Sequence, residues 1–284
     1  MQREHVTNDR PLSPLGSVEE PSGRVSAAII TKNEERRIED CLRSLLWADE
    51  IVVVDSHSDD RTVEICRRYT DRVYQRPFDN FSRQRNHVLD LVTCPWLLFV
   101  DADERVTPEL AAEVREVVAT EARLPSAEQK AGYWVPRHNL IWGKHIRHAG
   151  WYPDYQLRLL RAGAARYDEQ REVHEVAEVS GETGRLQHAL IHYNYDTIRQ
   201  FCAKQEAYST YEARLMLNQG VRPRWRNYLG APAREFVRRY WQLEGYRDGW
   251  HGLVLSALLA WYKLRAYVKL RAMLQPNAPS VASN

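Results

Sequence analysis

The eight residues Leu97 to Glu104, LLFVDADE, run four apolar side chains straight into the carboxylates of Asp101, Asp103 and Glu104. Such a cluster repels itself unless something positive sits on it. At a strand end, the turn lets one carboxylate face a ligand while its partner reinforces the site. Hard divalent cations such as Mg²⁺ or Mn²⁺ are held by one or two carboxylates plus substrate phosphates, with water in the remaining positions. An ion of that kind would relieve the repulsion. The plain alternative is a solvated turn whose acids cap the following helix, and a D-x-D standing alone does not decide between them. Other residues bear on the choice. Arg83 and Arg85 lie at a helix start, where backbone N–H groups also attract phosphate, although a charged helix surface would carry the same residues. Asp55 follows Val52, Val53 and Val54, and a carboxylate there can accept from a base N–H or a ribose hydroxyl.

The elements that must position these residues are readable from apolar patterning. VSAAII (from Val25), EIVVVD (to Asp55), Arg72-Val73-Tyr74 and CPWLLFV (to Val100) read as strands. Helical spacing appears at Ile38, Leu42, Leu45 and Leu46, after Thr62, and from Phe81 to Val92. Strand and helix alternating in this way predicts an α/β domain with a mainly parallel sheet, and bare apolar runs suit strands covered on both faces. The strands end in Thr31-Lys32-Asn33-Glu34, in Asp55-Ser56-His57-Ser58 and in Asp101-Ala102-Asp103. Ligands of open α/β sheets bind at the carboxyl ends of strands, so three strand ends are expected to converge on one crevice. Thr107 and Pro108 then open a helix as cap and first residue. Short strand-like pieces from Tyr133 to Tyr195 predict a second half of antiparallel, mixed pairing, and helices follow from Thr197.

AAIITKNEERRIEDCLRSLLWADEIVVVDSHSDDRTVEI, RQRNHVLDLVTCPWLLFVDADERV, and QLRLLR with the later VHE together resemble family 2 glycosyltransferases of the GT-A fold. Within that family they are most similar to the bacterial branch that adds glucose to the lipopolysaccharide inner core. The resemblance runs from about residue 25 to about residue 270. It implies an α/β GT-A fold, a Rossmann-like nucleotide-binding mixed sheet flanked by helices, with a C-terminal helical extension. It implies that Thr31, Asn33 and Glu34 form the uridine side of the donor pocket and that Asp55 bonds the uracil or ribose. Arg83 and Arg85 correspond to the region of the arginine that meets the diphosphate. Asp101 corresponds to the acid contacting the ribose or the metal's waters, and Asp103 to the direct ligand of a divalent cation, Mg²⁺ or Mn²⁺. Glu104 is expected to contact the following helix. The implied reaction is an inverting, metal-dependent transfer of a sugar, glucose first, from a UDP-sugar to a lipid-linked glycan such as lipopolysaccharide core. Polyprenyl phosphate and protein are the alternative acceptors.

Such a transfer puts negative charge on a departing diphosphate, which a cation and arginines stabilise. The acceptor hydroxyl must lose its proton to a carboxylate on the opposite face of the sugar. Glu175 in REVHEVAE is the first candidate and Asp154 in WYPDYQLRLL the second. HEVAE lacks the second histidine of H-E-x-x-H, which excludes a zinc protease on spacing. His192 resembles a late histidine of related enzymes, and a histidine in an apolar strand is otherwise a core residue. Arg158 fits the family's R-L-x-R piece or a surface charge. Two readings outside the class are a glycoside hydrolase with two carboxylates and no nucleotide, and a non-catalytic nucleotide- or membrane-binding module.

Composition sets the outer bounds. The 284 residues are 44% hydrophobic and 27% charged with a formal net charge of +2, enough for a real core and too balanced to predict a nucleic-acid partner. The four cysteines form no C-x-x-C pair, which speaks against zinc and against a disulfide framework and for reduced thiols in a cytosolic protein. Residues 1–24 are charged and proline-containing with no apolar core, so a disordered segment is expected rather than a signal peptide or anchor. The catalytic domain is expected over 25–196, a membrane-associating helical region over 197–275, and a disordered tail over 276–284. Trp250, Leu253, Val254, Ala257, Leu258, Trp261, Leu264 and Val268 recur at helical spacing, with Arg247, Lys263, Arg265, Lys269 and Arg271 nearby. The uncharged run is shorter than the roughly 20 residues a spanning helix needs. An amphipathic helix lying on anionic lipid is expected instead, on a cytoplasmic protein peripheral to the inner membrane.

Overall fold

A computed structural model describes residues 23–169 and 177–275. Its first half alternates β1 (Val25–Thr31), α1 (Ile38–Arg43), β2 (Glu50–Asp55), α2 (Thr62–Cys66), β3 (Val73–Gln75), α3 (Phe81–Leu91) and β4 (Trp96–Phe99). All the pairings among these strands are parallel, β1 with β2 and β4, and β2 with β3. Successive side chains of a strand face opposite sides, and both sides are buried here. Val25, Ala27, Ile29 and Val53 pack with Ile38, Leu42 and Ile65 on one face. Ala28, Val54, Leu97 and Phe99 pack with Val88 of α3 on the other.

The second half comprises β5 (Glu104–Arg105), α4 (Pro108–Glu121), β6 (Gly132–Ile141), β7 (Lys144–His145), β8 (Asp154–Arg161), β9 (Ala165–Arg166), β10 (Glu178–Val179), β11 (Thr183–Arg185) and β12 (Leu190–Tyr195). The Thr107 side chain accepts from the Leu110 N–H at 3.2 Å and Pro108 opens α4, as the sequence predicts. The main sheet has the order β3-β2-β1-β4-β8-β6-β12-β5. β8 is antiparallel to β4 and β6, whereas β12 runs parallel to β6. Short β5 returns antiparallel to β12 and sets Glu104 opposite His192. That last pairing brings the acidic turn beside a strand almost ninety residues later.

Three helices close the chain, α5 (Ile198–Asn218), α6 (Trp225–Val237) and α7 (Trp250–Met273), with a π turn over Arg238–Gln242 and a 3₁₀ turn over Gly245–Asp248 between the last two. α7 packs mainly through residues other than the apolar stripe expected to meet lipid. His251, Gly252, Leu255, Ala260, Ala266 and Leu270 are buried against the rest of the fold. A Cβ at Gly252 would overlap the Gly245 carbonyl, so only glycine permits that approach. Three of the cations expected at lipid headgroups turn inward to α5. Lys263 pairs with Glu212, Arg265 with Glu206 at 2.8 Å, and Lys269 with Glu206 at 2.9 Å. Opposite charge on a packed neighbour captures them. α7 still leaves Trp250, Leu253, Trp261 and Val268 exposed. α6 exposes a second stripe, with Trp225 at 80% and Leu229 at 72% exposure, continued by Val237 and by Trp241 in the π turn. No described helix is long and apolar enough to cross a membrane. Cys41, Cys66 and Cys94 are buried and Cys202 half-buried, all as free thiols.

Candidate active site

A cavity of about 740 Å³ opens along the carboxyl ends of β1, β2 and β4 and continues over β8, β6 and β12 to α5. That volume lies within the range of small-molecule sites. Thr31, Glu34, Arg85, Asp101, Asp103 and Asp154 all line it, together with His192. Expected residues from five separate segments therefore meet in one place.

The nucleotide-side loops are stitched together by the chain's own polar groups. The Asn33 N–H donates to Ser58 Oγ at 2.8 Å, and Asn33 Oδ1 accepts from the Asp59 N–H at 3.0 Å. The Glu34 N–H donates to Thr62 Oγ1 at 2.8 Å. Asn33 holds φ +56°, a left-handed conformation that asparagine tolerates better than most residues. Asp55 is fully buried. Its carboxylate accepts from the Ser58 N–H (2.9 Å), the Ser58 hydroxyl and Gln75 Nε2 (3.1 Å). Asn33 and Asp55 thus shape the loops, while Thr31 and Ser56 line the cavity beside them. Thr31 Oγ1 is buried without a hydrogen-bond partner among the described residues.

The acidic turn is divided by its arginines. Glu104 has no exposed surface. It accepts from the Asp101 N–H at 2.9 Å, from Arg158 Nη2 at 3.1 Å and from Arg137 Nη1 at 3.2 Å. The expected contact to the following helix is replaced by this role, because the β5–β12 pairing turns Glu104 inward. Asp101 is gripped through both oxygens by Arg158, with Nη1 at 3.2 Å from Oδ1 and Nη2 on Oδ2. Burial pushes the Asp101 carboxyl up, and the Arg158 charge and hydrogen bonds outweigh it, holding the group well below the usual carboxylate range. Arg158, itself 5% exposed, is a structural counter-ion and not a surface charge.

Asp103 is not gripped by an arginine: its side chain, 30% exposed beside 40% for that of Asp101, has Oδ2 3.4 Å from His192 Nε2. Arg37 comes no nearer than 4.0 Å. Asn139 fixes the histidine. Its amide nitrogen donates to the Trp151 carbonyl and to Asp154 Oδ2, both at 3.1 Å. Its oxygen therefore receives His192 Nδ1–H at 2.7 Å. In that tautomer the Nε2 lone pair points at a carboxylate, an arrangement that calls for a proton or a cation between the two. Burial opposes the Asp103 charge, but His192 holds its carboxyl below the ordinary range. Glu34 moves the other way, raised by burial and then by the Asp103 charge. The described residues contain no group of three potential metal ligands. Asp103 and His192 fit an ion that takes its other ligands from substrate phosphates and water.

Arg85 lines the cavity, with its guanidinium over the rings of Tyr167 (5.4 Å) and Phe81 (6.0 Å), and its charge lowers Asp101. Arg83 does not reach this cavity. Its Nε lies 3.2 Å from Glu169 in a separate groove. Two residues along a helix are about 200° apart, so only one of the two arginines can face the crevice. Asp154 accepts from Arg137 Nη2 at 2.6 Å, Arg137 Nε at 2.9 Å and Gln156 Nε2 at 2.9 Å. Burial raises its carboxyl, and Arg137 with the amide donors outweighs that and lowers it. Glu175, the first-choice base, lies outside the described residues.

Comparison with known proteins agrees with the geometry. The profile of the family described as Glycosyl transferase family 2 matches residues 26–160. The chain is 29% identical over 256 residues to the lipopolysaccharide core biosynthesis glycosyltransferase LpsC of Rhizobium meliloti (strain 1021), covering 88% of this chain and 93% of that one. It is 26% identical to an uncharacterized glycosyltransferase of Rickettsia bellii (strain RML369-C), covering 92% and 90%. The crystal structure of S. aureus TarS with UDP-GlcNAc superposes with a TM-score of 0.47 at 14% identity, over 89% of this chain and 85% of that one. The chain is a glycosyltransferase with the expected α/β GT-A architecture and C-terminal helices, and its residues 26–160 match glycosyl transferase family 2.

Proposed function

We propose that the chain transfers a hexose, glucose first, from a UDP-sugar to a lipid-linked glycan of the lipopolysaccharide core, with inversion at the anomeric carbon. The observation that carries this reading is that Asp103, His192, Arg85 and Asp154 line a single cavity, with His192 Nε2 3.4 Å from Asp103. The near full-length similarity to LpsC supports the acceptor class. The nucleoside is assigned to the loops at Thr31, Ser56 and Asp55, and the diphosphate to the stretch between Arg85 and Asp103. Asp103 and His192 would hold a divalent cation, with Asp101 behind them as the Arg158-locked end of the turn. When bound, that ion neutralises charge gathering on the departing diphosphate.

Asp154 is assigned to orient the acceptor hydroxyl and accept its proton. Arg137 keeps it ionised, and its low basicity makes proton transfer late, once the new bond to the anomeric carbon is well advanced. Glu175 is the rival for this role. Attack from the Asp154 side on a sugar whose diphosphate leaves toward Arg85 inverts the centre. The catalytic domain is assigned to 25–196 and the membrane-facing part to 197–275. Within the latter, α6 is the better candidate for anionic lipid. Trp225 and Leu229 are flanked by Arg222, Arg224, Arg226 and Arg234, for which the described residues provide no acidic partner. The protein is then peripheral to the cytoplasmic face of the inner membrane, where the nucleotide sugar is found.

The test is transfer from UDP-glucose, UDP-galactose, UDP-GlcNAc and GDP-mannose to truncated lipopolysaccharide, polyprenyl phosphate and a protein acceptor. Each is run with Mg²⁺ or Mn²⁺ and again with EDTA. Metal-dependent transfer to the lipopolysaccharide with inverted product is expected. Undiminished transfer in EDTA, or transfer to one of the other acceptors alone, would contradict the proposal.

A further inference from the structure

The cavity holds a charge that the reaction so far leaves unused. Lys204 of α5 lines the cavity beside Gln205 and Tyr208. Its Nζ stands 5.2 Å from the centroid of the Tyr195 ring, and it makes no ion pair among the described residues. Other cations of this region differ: Lys263, Arg265 and Lys269 each have an acidic partner. Three of the four carboxylates lining the cavity have another partner: Arg158 holds Asp101, Arg137 holds Asp154, and His192 faces Asp103.

Tyr195 ends β12, which also meets the loop after β1, where Arg37 Nη1 donates to the Tyr193 carbonyl at 2.7 Å. What ties Lys204 to the acceptor is its connection to Asp154. The Tyr195 ring abuts Trp151, centroids 6.4 Å apart. The Trp151 carbonyl accepts from the same Asn139 amide that donates to Asp154. One packed wall thus runs from the proposed base, through Trp151 and Tyr195, to the ammonium group. Aromatic faces suit sugar rings, and a lysine over a ring keeps its three donors for an anion. We infer that Lys204, with Tyr195 and Trp151, binds an anionic substituent of the acceptor glycan, a carboxylate or a phosphate monoester near the attacking hydroxyl. This assignment rests on the reading of the cavity as a glycosyl-transfer site, with the acceptor on the Asp154 side.

The experiment begins with binding alone. Methyl β-glucuronide, glucose 6-phosphate and methyl β-glucoside are titrated into the full chain with UDP present, followed by ligand-observed NMR. Wild type should bind at least one charged sugar about tenfold more tightly than the neutral one, as a charge-assisted hydrogen bond allows. Lys204→Gln should remove the preference and Lys204→Arg keep it. Equal binding of charged and neutral sugars, or a preference surviving in Lys204→Gln, overturns the subsite.

The same variants are then assayed for transfer to truncated lipopolysaccharide that is untreated, dephosphorylated or carboxyl-reduced. Lys204→Gln should raise the acceptor KM about tenfold and leave the donor KM unchanged. The treatment that abolishes this difference identifies the anion. An acceptor KM equal to wild type, or a shifted donor KM, overturns the subsite. Lys204-dependent sugar binding without transfer to lipopolysaccharide by wild type would contradict the acceptor assignment and support the subsite.

Discussion

The two ends of the sheet present their polar groups in opposite ways. Over β1, β2 and β4 these groups are the last residues of strands, Thr31 and Asp55, and the turns beyond, tied by backbone N–H and short side chains such as Asn33, Ser58 and Thr62. Over β6, β8 and β12 they come from within the strands as Arg137, Asn139, Arg158 and His192. A charge inside a buried strand must find its counter-charge there or lose the fold's stability. That end is accordingly an ion-paired network, and the other a set of turns held by hydrogen bonds to backbone N–H, hydroxyl and amide groups. The two aspartates of the D-x-D fall on either side of the divide. Both line the cavity, Asp101 with its oxygens taken by Arg158 and Asp103 with no arginine nearer than 4.0 Å.

This contrast can be broken in several places. The largest effect is expected at Asp154, where Asp154→Asn should lower kcat for transfer by about 10² to 10⁴ if it takes the proton. Glu175→Gln, measured alongside, should lose far less, and the reverse order would move the base to Glu175. At Arg158 the loss should be in stability. Arg158→Met leaves Asp101 without its counter-ion and Glu104 with Arg137 alone, and should cost about 3–5 kcal/mol in urea unfolding. A smaller cost would mean that the network is not locked.

The helices repeat the contrast outside the cavity. Trp225→Ala with Leu229→Ala should weaken flotation with phosphatidylglycerol vesicles about tenfold or more and leave the melting temperature close to wild type. Lys269→Ala, which removes a bond to α5, should lower the melting temperature and leave flotation intact. Equal flotation of the α6 variant and wild type would dismiss α6 as the lipid-facing element.

The smallest effect is in acid. Asp101, Asp103 and Asp154 are all held below their ordinary value of 3.8 in the folded chain. The unfolded chain therefore takes up more protons as the pH falls past that value. The stability these groups contribute is fully present above it and is lost on further acidification. A melting temperature that falls below about pH 4 in wild type, and less steeply in Arg158→Met, is the expected outcome.

Much of the nucleotide side was legible because its residues lie where apolar runs stop. Thr31, Glu34, Asp101 and Asp103 follow strands recognisable by composition alone, and the crevice at their carboxyl ends follows from topology. The acceptor side was not legible in the same way, because its pairings span long separations. Arg158 meets Asp101 57 residues away and His192 meets Asn139 53 residues away. A hint was nonetheless present in QLRLL and LIHYNY. A charged or polar residue inside a buried strand has to be paired, which marks Arg158 and His192 as site candidates without identifying their partners. Arg83 and Arg85 could not be separated before the rotation of α3 about its axis was known. The capture of Lys263, Arg265 and Lys269 by α5 was hidden for a similar reason, since helical spacing says which residues share a face and not what the face meets.

The central claim is that Asp103, and not Asp101, is the carboxylate left for a cation shared with the donor diphosphate. It is tested most directly by calorimetric titration of UDP into wild type and Asp103→Asn, each with Mn²⁺ and with EDTA. The account predicts that Mn²⁺ tightens UDP binding by about tenfold or more in wild type, and that Asp103→Asn folds normally but loses this dependence. UDP affinity that is the same in Mn²⁺ and EDTA for wild type, or that keeps its Mn²⁺ dependence in Asp103→Asn, would contradict it.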